Sequence, residues 1–184
     1  MNYLRKNKNK KQGFTLIELL VTMAILGVLA TVISSGYTSS RTRGRDITRK
    51  SDLKQIATSL ETFFNDYGKY PGSDASGQIL GCPYTPSTGV GTACVWPNKQ
   101  TFTDTKSVYF NNLPKDPVVA QTYFYRSFDF GKKFQLFSHI ENSKDQDCTL
   151  PGCGTITIGG VTLNCGASSP CNFATTSSNT NTLE

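Results

Sequence analysis

Apolar residues run almost unbroken from Phe14 to Ile33, and one carboxylate, Glu18, lies inside that run. The length suits a helix that crosses a bilayer, which takes about 20 apolar residues. An acid inside hydrocarbon is costly and calls for a partner. Beyond the run, residues 34–40 are small and polar, with four serines and Gly36, and their helix propensity is low. Periodicity then returns. Ile47, Leu53, Ile56, Ala57, Leu60, Phe63, Phe64 and Tyr67 recur mostly at steps of three and four, with Arg45, Arg49, Lys50, Lys54 and Glu61 between them. This predicts an amphipathic helix with one apolar face. Gly68 and Pro71-Gly72 predict its stop.

The pattern beyond Gly72 is weaker. Residues 72–121 are rich in Gly, Pro, Ser and Thr and read as a long ordered loop with short elements. Strands are expected over 122–127 and 133–138, joined at Asp129-Phe130-Gly131 as an antiparallel hairpin. A smaller hairpin is expected over 155–158 and 161–163, around Gly159-Gly160. The tail 174–184 is polar and reads as mobile. The tyrosines and phenylalanines of this region are expected in its core.

Charge changes the picture of the amino terminus. The chain has 184 residues and a net charge of +6. Arg5, Lys6, Lys8, Lys10 and Lys11 all precede Gly13, and without them 14 basic residues face 13 acidic ones. The basicity belongs to a leader and is no sign of specific nucleic-acid binding. A basic leader before an apolar helix stays in the cytoplasm and sends the following chain outward. An ordinary secretory signal peptide, cut near Ser34 or Ser35, is the alternative. The apolar stretch is long for that, and Glu18 is an awkward residue for a disposable segment. A second basic stretch, Arg41, Arg43, Arg45, Arg49, Lys50 and Lys54, reads as a surface for anionic headgroups or neighbouring acidic groups, or as a solvated helix face.

All six cysteines lie beyond the apolar run, which fits disulfides in an exported domain. Local pairing joins Cys82 to Cys94, Cys148 to Cys153 and Cys165 to Cys171, one of the many connectivities open to six cysteines. Zinc is not expected, because His139 is the one histidine and no two cysteines are separated by just two residues. No nucleophile and base are arranged for catalysis, so the chain is not expected to be an enzyme.

Gly13-Phe14-Thr15-Leu16-Ile17-Glu18, after its basic leader, resembles the cleavage and methylation motif of type IV pilins and pseudopilins. Asp66-Tyr67-Gly68-Lys69-Tyr70-Pro71, and Leu113-Pro114-Lys115-Asp116-Pro117 followed by Tyr123-Phe124-Tyr125, resemble segments of major pseudopilins of type II secretion. The resemblance implies cleavage by prepilin peptidase between Gly13 and Phe14 and N-methylation of Phe14. It implies an α+β fold, a long helix packed on a small antiparallel sheet in the lollipop form of type IV pilins. The division is a leader (1–13), a membrane or filament-core helix (14–36), an amphipathic helix (37–67) and an extracytoplasmic head (68–184).

The implied role is structural. The chain would be a subunit of a homo-oligomeric filament joined through its amino-terminal helices, held in membrane lipid before assembly. An inner-membrane assembly platform and minor pilins or pseudopilins would be its partners. The leading reading is a type II secretion major pseudopilin. A type IV pilus subunit for adhesion, motility or DNA uptake is the sibling reading, and a membrane-anchored binding module that never polymerises is the contrast. Glu18 is the assembly residue, facing the Phe14 amine freed by cleavage, in its own subunit or a neighbour. A Glu18 that snorkels or lies protonated in a monomeric anchor is the alternative. The stretch 34–40 is expected to melt locally on assembly.

The resemblance also brings a metal expectation. Major pseudopilins commonly hold calcium in a loop after the sheet strands, and here Glu141, Asp145 and Asp147 are the candidates. Lys144 intrudes and the spacing is no clear ligand loop, so a solvated acidic turn is the preferred reading. Six cysteines depart from the pattern of those pseudopilins, and the absence of Pro between residues 14 and 70 departs from that of many type IV pilins.

Overall fold

The computed structural model describes residues 13–181 and 183, except Lys99, and only the backbone of residues 32–36 and of Pro97. The expected leader therefore lies outside the described residues, apart from Gly13. Two compact units are present, Met1–Arg41 and Thr42–Glu184, and one helix, α1 (Leu16–Tyr67), contributes to both.

In the first unit the helical backbone runs through residues 34–40 despite their low propensity. Its apolar side chains lie open, from Phe14, which is 89% exposed, to Leu29, which is 53% exposed. Among the described residues no helix is long and apolar enough to cross a membrane. The described side chains of the apolar run stop at Thr31, short of the roughly 20 residues a crossing takes. Val32 and Ile33, which complete the expected segment, fall among the side chains outside the description.

The second unit is organised by the apolar face of α1. Leu53, Ile56, Leu60 and Phe63 are fully buried, at the steps of three and four that place them on one face. They pack on a three-stranded antiparallel sheet of β5 (Phe124–Phe128), β6 (Lys133–Ser138) and β9 (Phe173–Thr176), in the order β5-β6-β9. The register pairs Tyr125 with Leu136 and Phe124 with Phe137. Successive strand residues point to opposite faces. Tyr125, Phe134 and Leu136 therefore join the core under α1. Phe124 and Phe137 meet a second cluster of Ile156, Leu163, Cys165 and Cys171 on the other face. Covered on both sides, residues 134–138 of β6 are all buried.

The helix ends where Gly68 takes a positive φ of 65° and its N–H bonds to the Phe64 carbonyl at 2.7 Å, a left-handed cap that suits glycine. The next residues tie this end to the sheet hairpin. Tyr70 N–H donates to Gly131 O at 2.7 Å, and Lys132 Nζ donates to Gly68 O at 2.8 Å.

Three parts of the head differ from the expectation. The segment read as a loop holds a hairpin, β1 (Ile79–Thr85) with β2 (Val90–Cys94), and a smaller pair, β3 (Phe102–Thr103) with β4 (Val108–Phe110). Gly81, Pro83 and Gly91 interrupt any alternation there, which hides the strands. Gly91 is required by close approach: a Cβ on it would sit 2.1 Å from the Leu80 carbonyl oxygen. The tail read as mobile begins with β9, paired to β6 through Gln135↔Thr176 and Ser138↔Phe173. Ser177 is buried, and its hydroxyl accepts the Phe134 N–H at 3.2 Å. Phe-Ala-Thr-Thr shows no periodicity, so only the partner strand reveals it. The first sheet strand starts at Phe124 and ends at Phe128, later than expected. The small hairpin forms as β7 (Thr157–Ile158) and β8 (Val161–Thr162) around two glycines of positive φ.

Candidate processing and assembly site

At the start of α1, Thr15 and Glu18 satisfy each other. Thr15 N–H and Thr15 Oγ1 both donate to Glu18 Oε2, at 3.0 and 2.9 Å. Glu18 N–H returns a bond to Thr15 Oγ1 at 3.3 Å. Thr15 O accepts the first helical bond, from Leu19 N–H. This is a capping box, in which a threonine before the first turn and a glutamate three residues later close two unpaired donors. The carboxylate also lies at the positive end of the helix, where a negative charge is favoured. Gly13, Phe14, Thr15 and Glu18 surround one open recess at this terminus. Glu18 thus has a partner on its own chain in the unprocessed protein, where the Phe14 nitrogen is still an amide. Sequence reasoning missed Thr15, although a threonine three residues before a glutamate at the head of an apolar run is a readable sign.

The basic stretch on α1 divides. Arg41, Arg43 and Lys54 are exposed, whereas Arg45, Arg49 and Lys50 turn towards acids of their own head. Arg49 is fully buried. Its Nε and Nη2 hold Asp116 by two bonds of 2.7 and 2.9 Å, and Nη2 also reaches Gln121 Oε1 at 2.6 Å. Its Nη1 meets Asp46 at 2.7 Å and Glu141 at 2.8 Å. Burial opposes this charge, but Asp116 and Glu141 outweigh it and raise the Arg49 pKa. Arg45 forks onto both oxygens of Glu141. Asp46 in turn accepts the N–H groups of Glu141 and Asn142, each at 3.0 Å. Arg45 and Arg49 together hold the Glu141 carboxyl down at about 2. Neither an open docking face nor a solvated face describes these three basic residues. Asp46, Asp116 and Gln121 were not anticipated, because nothing local marks them as partners of Arg49.

The motifs near the head have structural work. Asp116 of Leu113-Pro114-Lys115-Asp116-Pro117 is the buried anion opposite Arg49. Tyr70 donates to Glu61 at 2.9 Å and Tyr109 to Asp66 at 2.7 Å. Disulfides join Cys82 to Cys94, Cys148 to Cys153 and Cys165 to Cys171. His139 Nδ1 lies 2.7 Å from the Pro170 carbonyl, a structural contact.

The expected calcium candidates do not fit a metal. Both Glu141 oxygens are engaged by arginines. Asp145 Oδ1 and Asp147 Oδ2 each lie 2.7 Å from Lys50 Nζ. Calcium needs about six to eight free oxygens. Among the described residues no group of three or more His, Cys, Asp or Glu side chains is placed to hold a metal ion.

A capped apolar helix start with one carboxylate, on a helix whose other part packs on an antiparallel sheet, defines a pilin-like protein. The model of the prokaryotic N-terminal methylation motif matches residues 8–34. The type II secretion system core protein G of Pseudomonas aeruginosa is 30% identical over 110 residues, 60% of this chain and 70% of that protein. The chain belongs to the family of type IV pilins and type II secretion pseudopilins. It is also similar to the type IV major pilin protein PilA of Myxococcus xanthus, 33% identical over 70 residues, 38% of this chain and 31% of that pilin. A third relative is the type IV wide pilus major component PilA4 of Thermus thermophilus, 33% identical over 76 residues, 41% of this chain and 58% of that protein. The chain thus spans less than two thirds of either pilin. No solved structure matches the chain.

Proposed function

We propose that this chain is a structural subunit of an extracytoplasmic helical filament, with no catalytic role, and that the filament is the pseudopilus of a type II secretion system. The observation that carries this reading is the exposed apolar start of α1 with its single carboxylate. Phe14, Leu16, Ile17, Leu19 and Leu20 are all more than half exposed. A surface this apolar needs lipid or a second copy of itself. Lipid covers it before assembly, with the leader in the cytoplasm and the head outside. In the filament, neighbouring helices cover it instead.

Prepilin peptidase cuts between Gly13 and Phe14, and Phe14 is methylated. The new amine then supplies the positive charge that a buried Glu18 requires. Supplied by a neighbouring subunit, it sets the axial register between helices. An inner-membrane assembly platform and minor pseudopilins serve as partners. The secretion reading is favoured because 70% of the Pseudomonas secretion protein is covered.

A type IV pilus is the second reading, favoured by the identity of 33% to the two pilins. Replacing Glu18 with Ala tests the filament role. The expected result is a subunit that accumulates in the membrane, with a folded head, and fails to assemble. Normal assembly of the variant would remove the role given to Glu18, and an unaltered chain that forms no filament would sink the reading in favour of a binding module that never polymerises. Loss of protein export with surface pili intact would then separate secretion from pilus.

A further inference from the structure

The loop of residues 141–147 gathers three carboxylates, and its charge is met from within the chain. Lys50 projects from α1, one residue after the buried Arg49, and its Nζ lies 2.7 Å from both Asp145 Oδ1 and Asp147 Oδ2. Asp145 Oδ1 also accepts the Asp147 N–H at 2.9 Å. At the other end of the loop, Glu141 is held by Arg45 and Arg49, and the Glu141 and Asn142 N–H groups are held by Asp46. The Cys148–Cys153 disulfide closes the segment that follows.

We propose that the Lys50 ammonium is the resident cation of this loop, so that the head folds and holds the loop against α1 without a divalent metal. The geometry is that of one cation between two carboxylates, the position a metal would take. An ion entering there has to displace the ammonium. Lys50 would then lose both its anions and leave its partly buried ammonium without a counter-charge. A lysine also spares the chain the cost of stripping water from a doubly charged ion. Its partly buried charge is matched by Asp145, whose carboxyl the Lys50 contact holds below the ordinary range. The proposal does not depend on which filament the chain builds.

The test is thermal unfolding of the full-length chain in detergent, with calcium chloride and with a chelator. A metal bound at a hundredfold excess over its Kd raises Tm by several degrees. The expected result is the same Tm in both conditions, and no heat of binding when calcium is titrated in. A fall of several degrees on chelation overturns the proposal. The second arm compares Lys50→Met with Lys50→Arg. Loss of the cation is expected to lower Tm by several degrees, while arginine keeps most of it. A Lys50→Met chain that melts with the parent overturns the role given to Lys50. The calcium arm uses the unaltered chain and reads whether or not the variant folds.

Discussion

Thr15 Oγ1 donates to Glu18 Oε2 at 2.9 Å while the Thr15 N–H bonds to the same oxygen at 3.0 Å. The acid in the apolar run is thus committed to the helix start before any processing occurs. Cleavage after Gly13 would place a positive amine on Phe14, the residue just before this cap. Replacing Thr15 with Ala is expected to remove about 1 kcal/mol from the helix start. Hydrogen exchange in the first turn should quicken while the melting of the head stays unchanged. Unaltered exchange there would show that the cap is idle.

Arg49 is the charge on which three segments of the head converge: α1 itself, the stretch with Asp116 and Gln121, and the loop with Glu141. Removing one partner of a buried ion pair costs roughly 3–5 kcal/mol, because the other charges stay buried. Arg49→Ala is therefore expected to lower the denaturant midpoint sharply, with little change in slope. Arg49→Lys should restore little of it, since one ammonium cannot make the paired bonds to Asp116 and still reach Asp46 and Gln121.

Acid should unfold the head over a defined range. The arginines hold Glu141 at about 2. Burial alone would raise the Asp104 carboxyl, but the Tyr67 hydroxyl and the Ser107 and Lys106 N–H groups outweigh it and hold it at about 2. Both acids bind protons more weakly in the folded state than in the unfolded one. Their contribution is complete above the ordinary carboxyl range, near pH 5, and is lost as pH falls towards about 2. Stability measured against pH should fall across that window, and Glu141→Gln should flatten the fall while lowering stability at neutral pH.

The three disulfides should differ in their response to reductant. Cys165 and Cys171 are fully buried, and Cys94 is fully buried with Cys82 nearly so. Cys148 and Cys153 are both partly exposed. Alkylation followed by mass spectrometry should find the Cys148–Cys153 pair opening first as reductant rises and Cys165–Cys171 opening last. Loss of Cys82–Cys94 removes a closure of 12 residues, worth about 3 kcal/mol in the chain-entropy account.

Elements with strong periodicity were legible in the sequence. The apolar face of α1, its stop at Gly68 and the β5–β6 hairpin follow from residue spacing and turn chemistry. Thr15 was legible in principle, as one half of a capping pair. β9 was not, because Phe173–Thr176 has no pattern of its own and is a strand only by pairing with β6. The Arg49 cluster was hidden for a related reason. Asp116 lies 67 residues from Arg49 in the chain, and only the folded head brings them together. Read alone, the run of basic residues gives no sign that half of it turns inward.

The processed amino terminus tests the central claim most directly. Mass spectrometry of the protein taken from its native membranes should find a chain that begins at Phe14 and carries one added methyl on its amine. A chain that begins near Gly36, as an ordinary signal peptide would leave it, or one that keeps its basic leader throughout, would contradict the account.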